Sequence, residues 1–541
     1  MSGSGAFARQ VVLRNVEQTI VTPAPVEVED GAEKHPESWN ASLFDLFNID
    51  AFLPILFLYD LDYSEEEAYR KLIDDLKSSL SKVLVPFYPI AGRWRVNTDP
   101  TIVRTLYCND AGVPFVEAFC DEDLESVVKI DTEGYKPLFQ LSGYEALGFD
   151  PQKIHQSIEP ELPSLIVQVT RFACGSVVLG TTFNHTTSDG KAAYDFLQAW
   201  SQIAREGSTT IVPDHDRSVA FSLSELYAAI SQQPQPSESS IAEGVETPEE
   251  NGASAEAVEE AVEGVTNALA STHTTEDSAP TMSADSEAPP AAAADGDSPA
   301  AATRDPGVGF MLNEVVPVMT KLFNVKKDVI DNLKAQAKTE LSSGDEELTT
   351  VDCISALLWR CISRLPAKHG GTSHTRAMSA IEGRLKFSDP PLPPNYSGNV
   401  IMLAPYPEVS PDELLSKPHS FAAQKVHRTV RAVNHDSILP VLMSMTQIMN
   451  DYQRSVLRFC SFTSWFRFPT YDIDFGFGAP YFVAPNLLCD WLSLGNTVIL
   501  PPIPDSGAEA TILVRLVPEA MSDLLTDREF LSFAFDLSFK Q

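Results

Sequence analysis

The chain has 541 residues, 43% of them hydrophobic and 21% charged, with a formal net charge of −36 and a pI near 4.5. That length allows two or three domains, each with its own core, and a field this negative argues against nucleic acid and anionic membranes as partners. A small anion can still be held by a local basic patch, because contacts well inside a Debye length of roughly 8 Å survive.

The N-terminal stretch MSGSGAFARQVVLRNVEQ contains no apolar core of signal-peptide length. AFLPILFLYDL, residues 51–61, is the most apolar early segment and is about half as long as a bilayer-spanning helix. The seven cysteines are scattered, odd in number and form no CxxC pair, which suits a reducing compartment. A cytoplasmic protein with no membrane span is expected.

Residues 65–87, EEEAYRKLIDDLKSSLSKVLVPF, carry Leu72, Ile73, Leu76, Leu80, Val83 and Leu84 at helical spacing. PSLIVQVTRFA and SVVLGTTFNH read as paired strands turning at Cys174-Gly175, and residues 190–207 as an amphipathic helix that stops at Gly207. Between 231 and 303 the composition changes: 15 Asp or Glu, no Lys or Arg, and no aromatic residue. Such a segment cannot bury enough apolar area to offset its ordering entropy, and disorder is the expectation. Beyond it, DVIDNLKAQAK and TTVDCISALLWRCISRL read as helices, NTVILPPI and ATILVRLVP as strands. The organisation expected is an N-terminal domain over 1–225, an acidic insertion or linker over 226–309, and a C-terminal domain over 310–541, both domains mixed α/β.

The strand SVVLGTTFNH ends on His185, and Asp189-Gly190 open the following helix. In open α/β architecture the carboxyl end of a strand is where a side chain can face a crevice. Asp189 suits an N-cap or an ion pair, and Gly190 a tight turn. Taken alone, HTTSDG favours a structural histidine. Two further clusters reverse that: LKSSLSKVLVPFYPIAGRW (76–94), which runs from a helix into a Tyr-Pro and Ala-Gly-Arg turn, and DFGFGAP (474–480).

In this order the clusters resemble the BAHD acyltransferases, plant-type enzymes that move acyl groups from coenzyme A thioesters to alcohols or amines. HTTSDG matches HxxxDG, PPLPPNYSGNV is similar to the family's PPLPxxYFGN stretch, and FTSWFRFPTYDIDFGFGAP is similar to its SSW-to-DFGWG segment. Phe477 stands where the family has Trp, and Ser397 and Val400 break the YFGNC pattern of malonyl transferases. The fold implied is α/β: two chloramphenicol-acetyltransferase-like domains with mixed sheets and an active-site tunnel at their interface.

The resemblance implies site residues as well. His185 is the general base, a task for which an imidazole with pKa near 6.5 is suited. Trp465 would aim its indole N–H at the thioester carbonyl, Thr463 would contact the acceptor, and Arg454 would pair with an acceptor carboxylate. Asp189 is expected to turn from the tunnel and pair with Arg384, on a VDxR-like strand; Asp474, Gly476 and Gly478 hold the DFGFG loop. Acyl-CoA is the co-substrate, with no tightly bound cofactor and no metal, since no second ligand lies at a convincing spacing from His185.

Hydroxycinnamoyl-CoA is the donor that the TSW stretch and the overall layout favour, with acetyl, benzoyl and long-chain donors open; shikimate, quinate, polyamine, amino-acid and fatty-alcohol acceptors all stay open, and a monomer is expected. A non-catalytic relative supporting lipid elongation is the alternative. A peptide-condensation domain would show HHxxxDG, where this chain has Asn184. The other histidines, at 35, 155, 215, 273, 369, 374, 419, 427 and 435, lie in polar contexts that suggest the surface.

Overall fold

The computed structural model describes residues 11–26, 34–46, 52–96, 104–128, 138–143, 145–147, 162–219, 319–340, 347–365, 375–388, 391–438, 459–485 and 496–536. The insertion at 226–309 and Arg454 lie outside them.

The first half contributes strands β1 (Leu13–Val21), β2 (Ser38–Asn40), β3 (Phe52–Tyr59), β4 (Arg93–Val96), β5 (Arg104–Tyr107), β6 (Val113–Cys120), β7 (Leu162–Pro163), β8 (Leu165–Phe172) and β9 (Val177–Asn184). Its helices are α1 (Leu43–Leu46), α2 (Glu66–Val83), α3 (Leu124–Val127) and α4 (Gly190–Glu206). The second half supplies β10 (Met319–Val325), β11 (Arg376–Glu382), β12 (Ile401–Pro405), β13 (Phe459–Ser464), β14 (Phe482–Pro485), β15 (Asn496–Leu500), β16 (Ala510–Leu516) and β17 (Ala534–Asp536), with α5 (Lys327–Glu340), α6 (Thr350–Ser363), α7 (Pro411–Ser416) and α8 (His419–Ala432) among its helices.

Two open mixed sheets carry the architecture, one six-stranded in the order β1-β6-β8-β9-β3-β14 and one seven-stranded in the order β12-β11-β13-β15-β16-β10-β17. Strands β6 and β8 are parallel, as are β11, β13 and β15; the other pairs in these sheets are antiparallel. Strand β14 comes from the second half of the chain and pairs with β3. A short apolar strand carries no mark in the sequence of which sheet edge it will join. A small sheet, β2-β5-β4-β7, flanks the first lobe.

Helix α2 buries Tyr69, Leu72, Ile73, Leu76, Leu80 and Val83, the stripe its periodicity predicts. It packs beside α4, and the indole of Trp200 donates to Ser79 Oγ at 3.0 Å, which satisfies a buried polar group that α4 would otherwise strand. Helix α4 begins on an Asp189 N-cap, whose side chain accepts from Ala192 N, and ends on left-handed Gly207 at φ 76°. In the second lobe, Thr349 and Asp352 form a capping box that starts α6, a helix with nearly every side chain buried.

The second sheet has two occupied faces. Phe462, Ile499, Ile512 and Phe323 enter the second lobe's core, while Val498, Leu500, Leu513 and Leu322 join the first lobe's core, with Trp465, Ile473 and Phe475. The lobes thus share apolar packing, each buried aliphatic or aromatic side chain contributing about 1.5–3 kcal/mol. The position between them is set by strand alternation.

Candidate active site

Every residue of β9 is buried, and the strand delivers His185 to the first position of a turn. The ring is held from behind by Asn399, in the NYSGN stretch of the second half. Asn399 Nδ2 donates to His185 O at 2.7 Å, Thr186 O at 3.0 Å and Asp45 Oδ1 at 3.0 Å. Since acceptors surround that end of the amide, the end facing the imidazole is the oxygen, 3.1 Å from Nδ1. The ring nitrogen there must carry the proton, so Nε2 holds the free lone pair. His185 keeps 9% of its exposure. Burial lowers its pKa below the ordinary 6.5, outweighing the opposite pull of Asn399, Asp189 and Asp45, so the ring is neutral near pH 7.

Asp189 has both oxygens occupied. Arg384 donates to them at 2.9 and 3.1 Å, Ala192 N at 2.9 Å and Val400 N at 3.0 Å. Burial by itself would raise this carboxyl, but the guanidinium and the donated hydrogen bonds hold it below the usual carboxylate value. Arg384 also donates to Tyr396 O and Gly398 O. The arginine stands in a 3-10 turn, Arg384–Lys386, just after β11, and not on a strand as the sequence pattern suggested. The turn lets one guanidinium reach the first lobe's helix cap and the NYSGN carbonyls together.

Gly190 is packed beneath Phe468: a Cβ there would lie 2.7 Å from the ring. Phe468 in turn lies against Tyr194 with ring centroids 4.7 Å apart, and Trp465 stands edge-on to Tyr194 at 6.0 Å. The TSW segment is thereby seated on the first turns of α4, the helix that follows the histidine turn. Thr463, half-buried on β13, shares a row across the sheet with Val498, Leu513 and Leu322, the side chains that face the first lobe.

The FYPIAGRW motif acts through its tryptophan. Its 3-10 turn, Tyr88–Ala91, feeds β4, whose Trp94 donates from Nε1 to Thr187 Oγ1 at 2.7 Å and so buttresses the HTTSDG turn. Towards the C-terminal end of α4, Asp474 accepts from Gly476 N at 2.7 Å and Gly478 N at 2.9 Å, and both glycines are left-handed, at φ 101° and 105°. Arg205 of α4 donates to Asp474 O, and Trp200 meets Phe475 edge-on at 4.7 Å. Phe477 stacks on Phe475 and stands edge-on to Tyr59, filling an aromatic position without the indole donor of a tryptophan.

Sequence reasoning missed three residues of this network: Asn399, Asp45 and Arg217. Asp45 is wholly buried in α1; it accepts from Ser42 N and Oγ, from Arg217 Nε at 3.1 Å, and from Asn399 N at 3.2 Å as well as the Asn399 amide. The signal for Asn399 lay within a quoted motif; Asp45 and Arg217 had none. Two histidines expected at the surface are buried. His215 donates from Nε2 to Pro86 O at 2.9 Å, and His427 pairs through Nδ1 with Asp352 Oδ2 at 2.9 Å. Their polar sequence neighbours concealed partners that are distant in the chain.

Two open mixed sheets meet around a histidine turn. The chain belongs to the Transferase family, the BAHD acyltransferases, whose sequence profile matches residues 21–279 and 311–531. It is 26% identical to agmatine hydroxycinnamoyltransferase 1 of Oryza sativa subsp. japonica, over 86% of this chain and 88% of that one. Identity to shikimate O-hydroxycinnamoyltransferase of Nicotiana tabacum is 27%, over 93% and 96% of the two chains. Vinorine synthase has the same fold, with a TM-score of 0.60 at 19% identity over 96% of this chain and 98% of that one. So does TRI101 of F. sporotrichioides, solved with coenzyme A and T-2, with a TM-score of 0.59 at 14% identity over 92% and 99%. Acyl-CoA is the co-substrate. No helix among the described residues is long and apolar enough to cross a membrane.

Proposed function

We propose that the protein transfers a hydroxycinnamoyl group from its coenzyme A thioester directly to the hydroxyl or amine of a small acceptor, in a ternary complex, with His185 as general base. The observation that carries this reading is the orientation of the Asn399 amide, which leaves the Nε2 lone pair of a neutral ring available.

Nε2 takes the proton of the acceptor O–H or N–H as that atom bonds to the thioester carbonyl carbon. The tetrahedral intermediate then collapses, the carbon–sulfur bond breaks, and the proton passes from Nε2 to the departing CoA sulfur. No acyl-enzyme and no tightly bound cofactor are needed. Trp465 is the proposed indole donor to the carbonyl oxygen; its seat against Tyr194 and Phe468 supports this by restricting the ring. Thr463 is the proposed acceptor contact, supported by its place in the row facing the first lobe, and Arg454 the proposed partner of an acceptor carboxylate. The donor class is supported by the relatives named as hydroxycinnamoyltransferases of agmatine and of shikimate.

A mass-spectrometric screen of acyl-CoAs against shikimate, quinate, polyamine, amino-acid and fatty-alcohol acceptors tests the assignment, with His185→Ala as control. A hydroxycinnamoyl product that disappears in the variant is expected. Transfer unchanged in His185→Ala would remove the histidine as base, and no product from any hydroxycinnamoyl-CoA would remove the donor class.

A further inference from the structure

We propose that Asp45 is a positioning residue for the transfer, acting through Asn399 to set the orientation and tautomer of His185; the proposal rests on His185 being the base.

A carboxylate behind a catalytic imidazole is a familiar device, and Asp189 is the acid nearest in sequence to His185. The geometry denies Asp189 that place, because Arg384, Ala192 N and Val400 N use its oxygens. What stands behind Nδ1 is a neutral amide, and an amide could present either end. The end is chosen by what surrounds it: two main-chain carbonyls, of His185 and Thr186, and one charged acceptor, Asp45. A hydrogen bond to a carboxylate is roughly twice as strong as one between neutral groups. Asp45 alone among the three also accepts the main-chain N–H of Asn399, so it holds both the backbone and the side chain of that residue.

Asp45 is itself immobilised. Its second oxygen accepts from Ser42 N, Ser42 Oγ and Arg217 Nε, and the other arm of Arg217 donates from Nη2 to Thr187 O at 3.0 Å. The contacts close a ring from Asp45 to Asn399, to His185 and its turn at Thr187, to Arg217, and back. All of its charged members are buried. The charged groups around the imidazole are Asp45 with Arg217 on one side and Asp189 with Arg384 on the other. Loss of the Asp45 charge leaves Arg217 unopposed and disfavours the imidazolium that forms when His185 takes a proton.

The test uses Asp45→Asn, Ser42→Ala and His185→Ala in the full chain with an active donor and acceptor pair. For Asp45→Asn, kcat is expected to fall roughly 10- to 100-fold, as for other residues that orient a site's primary group. KM for acyl-CoA should change less than about twofold, and the acid limb of kcat/KM should move to lower pH. A purely structural role would lower the melting temperature and leave the kcat of folded enzyme and the acid limb in place, and that result overturns the proposal. Ser42→Ala removes one anchor of Asp45 and no charge. It carries the same test should the Asn variant not fold: a several-fold lower kcat at unaltered KM is expected, and wild-type kcat overturns the assignment. Histidine-selective 15N NMR of the wild type should find the neutral His185 proton on Nδ1; a proton on Nε2 overturns it directly. Transfer that survives in His185→Ala defeats the base assignment itself, whereas an inactive His185→Ala beside a wild-type-like Asp45→Asn defeats only the role of Asp45.

Discussion

Arg384 grips both carboxylate oxygens of Asp189, at 2.9 and 3.1 Å, although 195 positions separate them in the chain. This pair is the bolt between the second lobe and the helix cap beside His185. Arg384→Met leaves the buried Asp189 carboxylate uncompensated and should cost about 3–5 kcal/mol of stability, whereas Asp189→Asn leaves Arg384 its pair with Glu382 at 2.8 Å and should cost less. The double variant should recover part of that loss. Chemical denaturation of the four proteins measures the coupling; additive losses would show that the pair is not a unit.

The pH dependence of transfer should report His185. The base must be neutral, and burial lowers its folded-state pKa. The acid limb of kcat/KM is therefore expected below pH 6.5, the ordinary histidine value. A limb above 6.5 contradicts this. His185→Gln should lower kcat by roughly 10²- to 10⁴-fold, the usual worth of a general base.

Stability has its own pH signature. Burial pushes the His215 pKa down to about 4, while the unfolded residue titrates near 6.5. As pH falls below 6.5 the unfolded chain takes up a proton that the folded chain refuses, so stability drops between pH 6.5 and 4, by about 3 kcal/mol in total at this site. His215→Gln keeps a donor for Pro86 O and removes the titration. Its melting temperature should fall less steeply across that window than the wild type's, and parallel curves would refute the account.

The two glycine clusters should respond differently to alanine. At Gly478, a Cβ has open space but the backbone is left-handed at φ 105°, so Gly478→Ala meets only backbone strain, about 1–2 kcal/mol. At Gly190 the backbone is ordinary and the obstacle is Phe468, 2.7 Å from the new carbon. Gly190→Ala should therefore displace Phe468 and the TSW segment, lowering kcat out of proportion to its effect on melting temperature. Thermal melts and kinetics of the two variants separate the cases; equal kinetic losses would deny that Phe468 transmits the change.

Much of this was written locally. The stripe on α2, the hairpin of β8 and β9, the Asp189 cap and the Gly207 stop follow from period and turn chemistry, which act between residues a few positions apart. The same locality made HTTSDG and DFGFG readable as turns that present or brace a side chain. It also misled at His215 and His427, whose polar neighbours suggested solvent while Pro86 O and Asp352 wait far along the chain.

By itself, then, the sequence determined the helix over 65–87, the β8–β9 pair, α4 and the identity of the histidine turn, because each depends on short-range sterics and hydrogen bonding. Only the tertiary structure decided that β14 completes the first sheet, that Arg384 reaches Asp189 from a 3-10 turn while also holding the NYSGN carbonyls, and that an amide backed by Asp45 stands behind His185. Those choices join residues 45, 189, 217, 384 and 399, and no periodicity encodes which buried donors and acceptors will meet once water has been excluded.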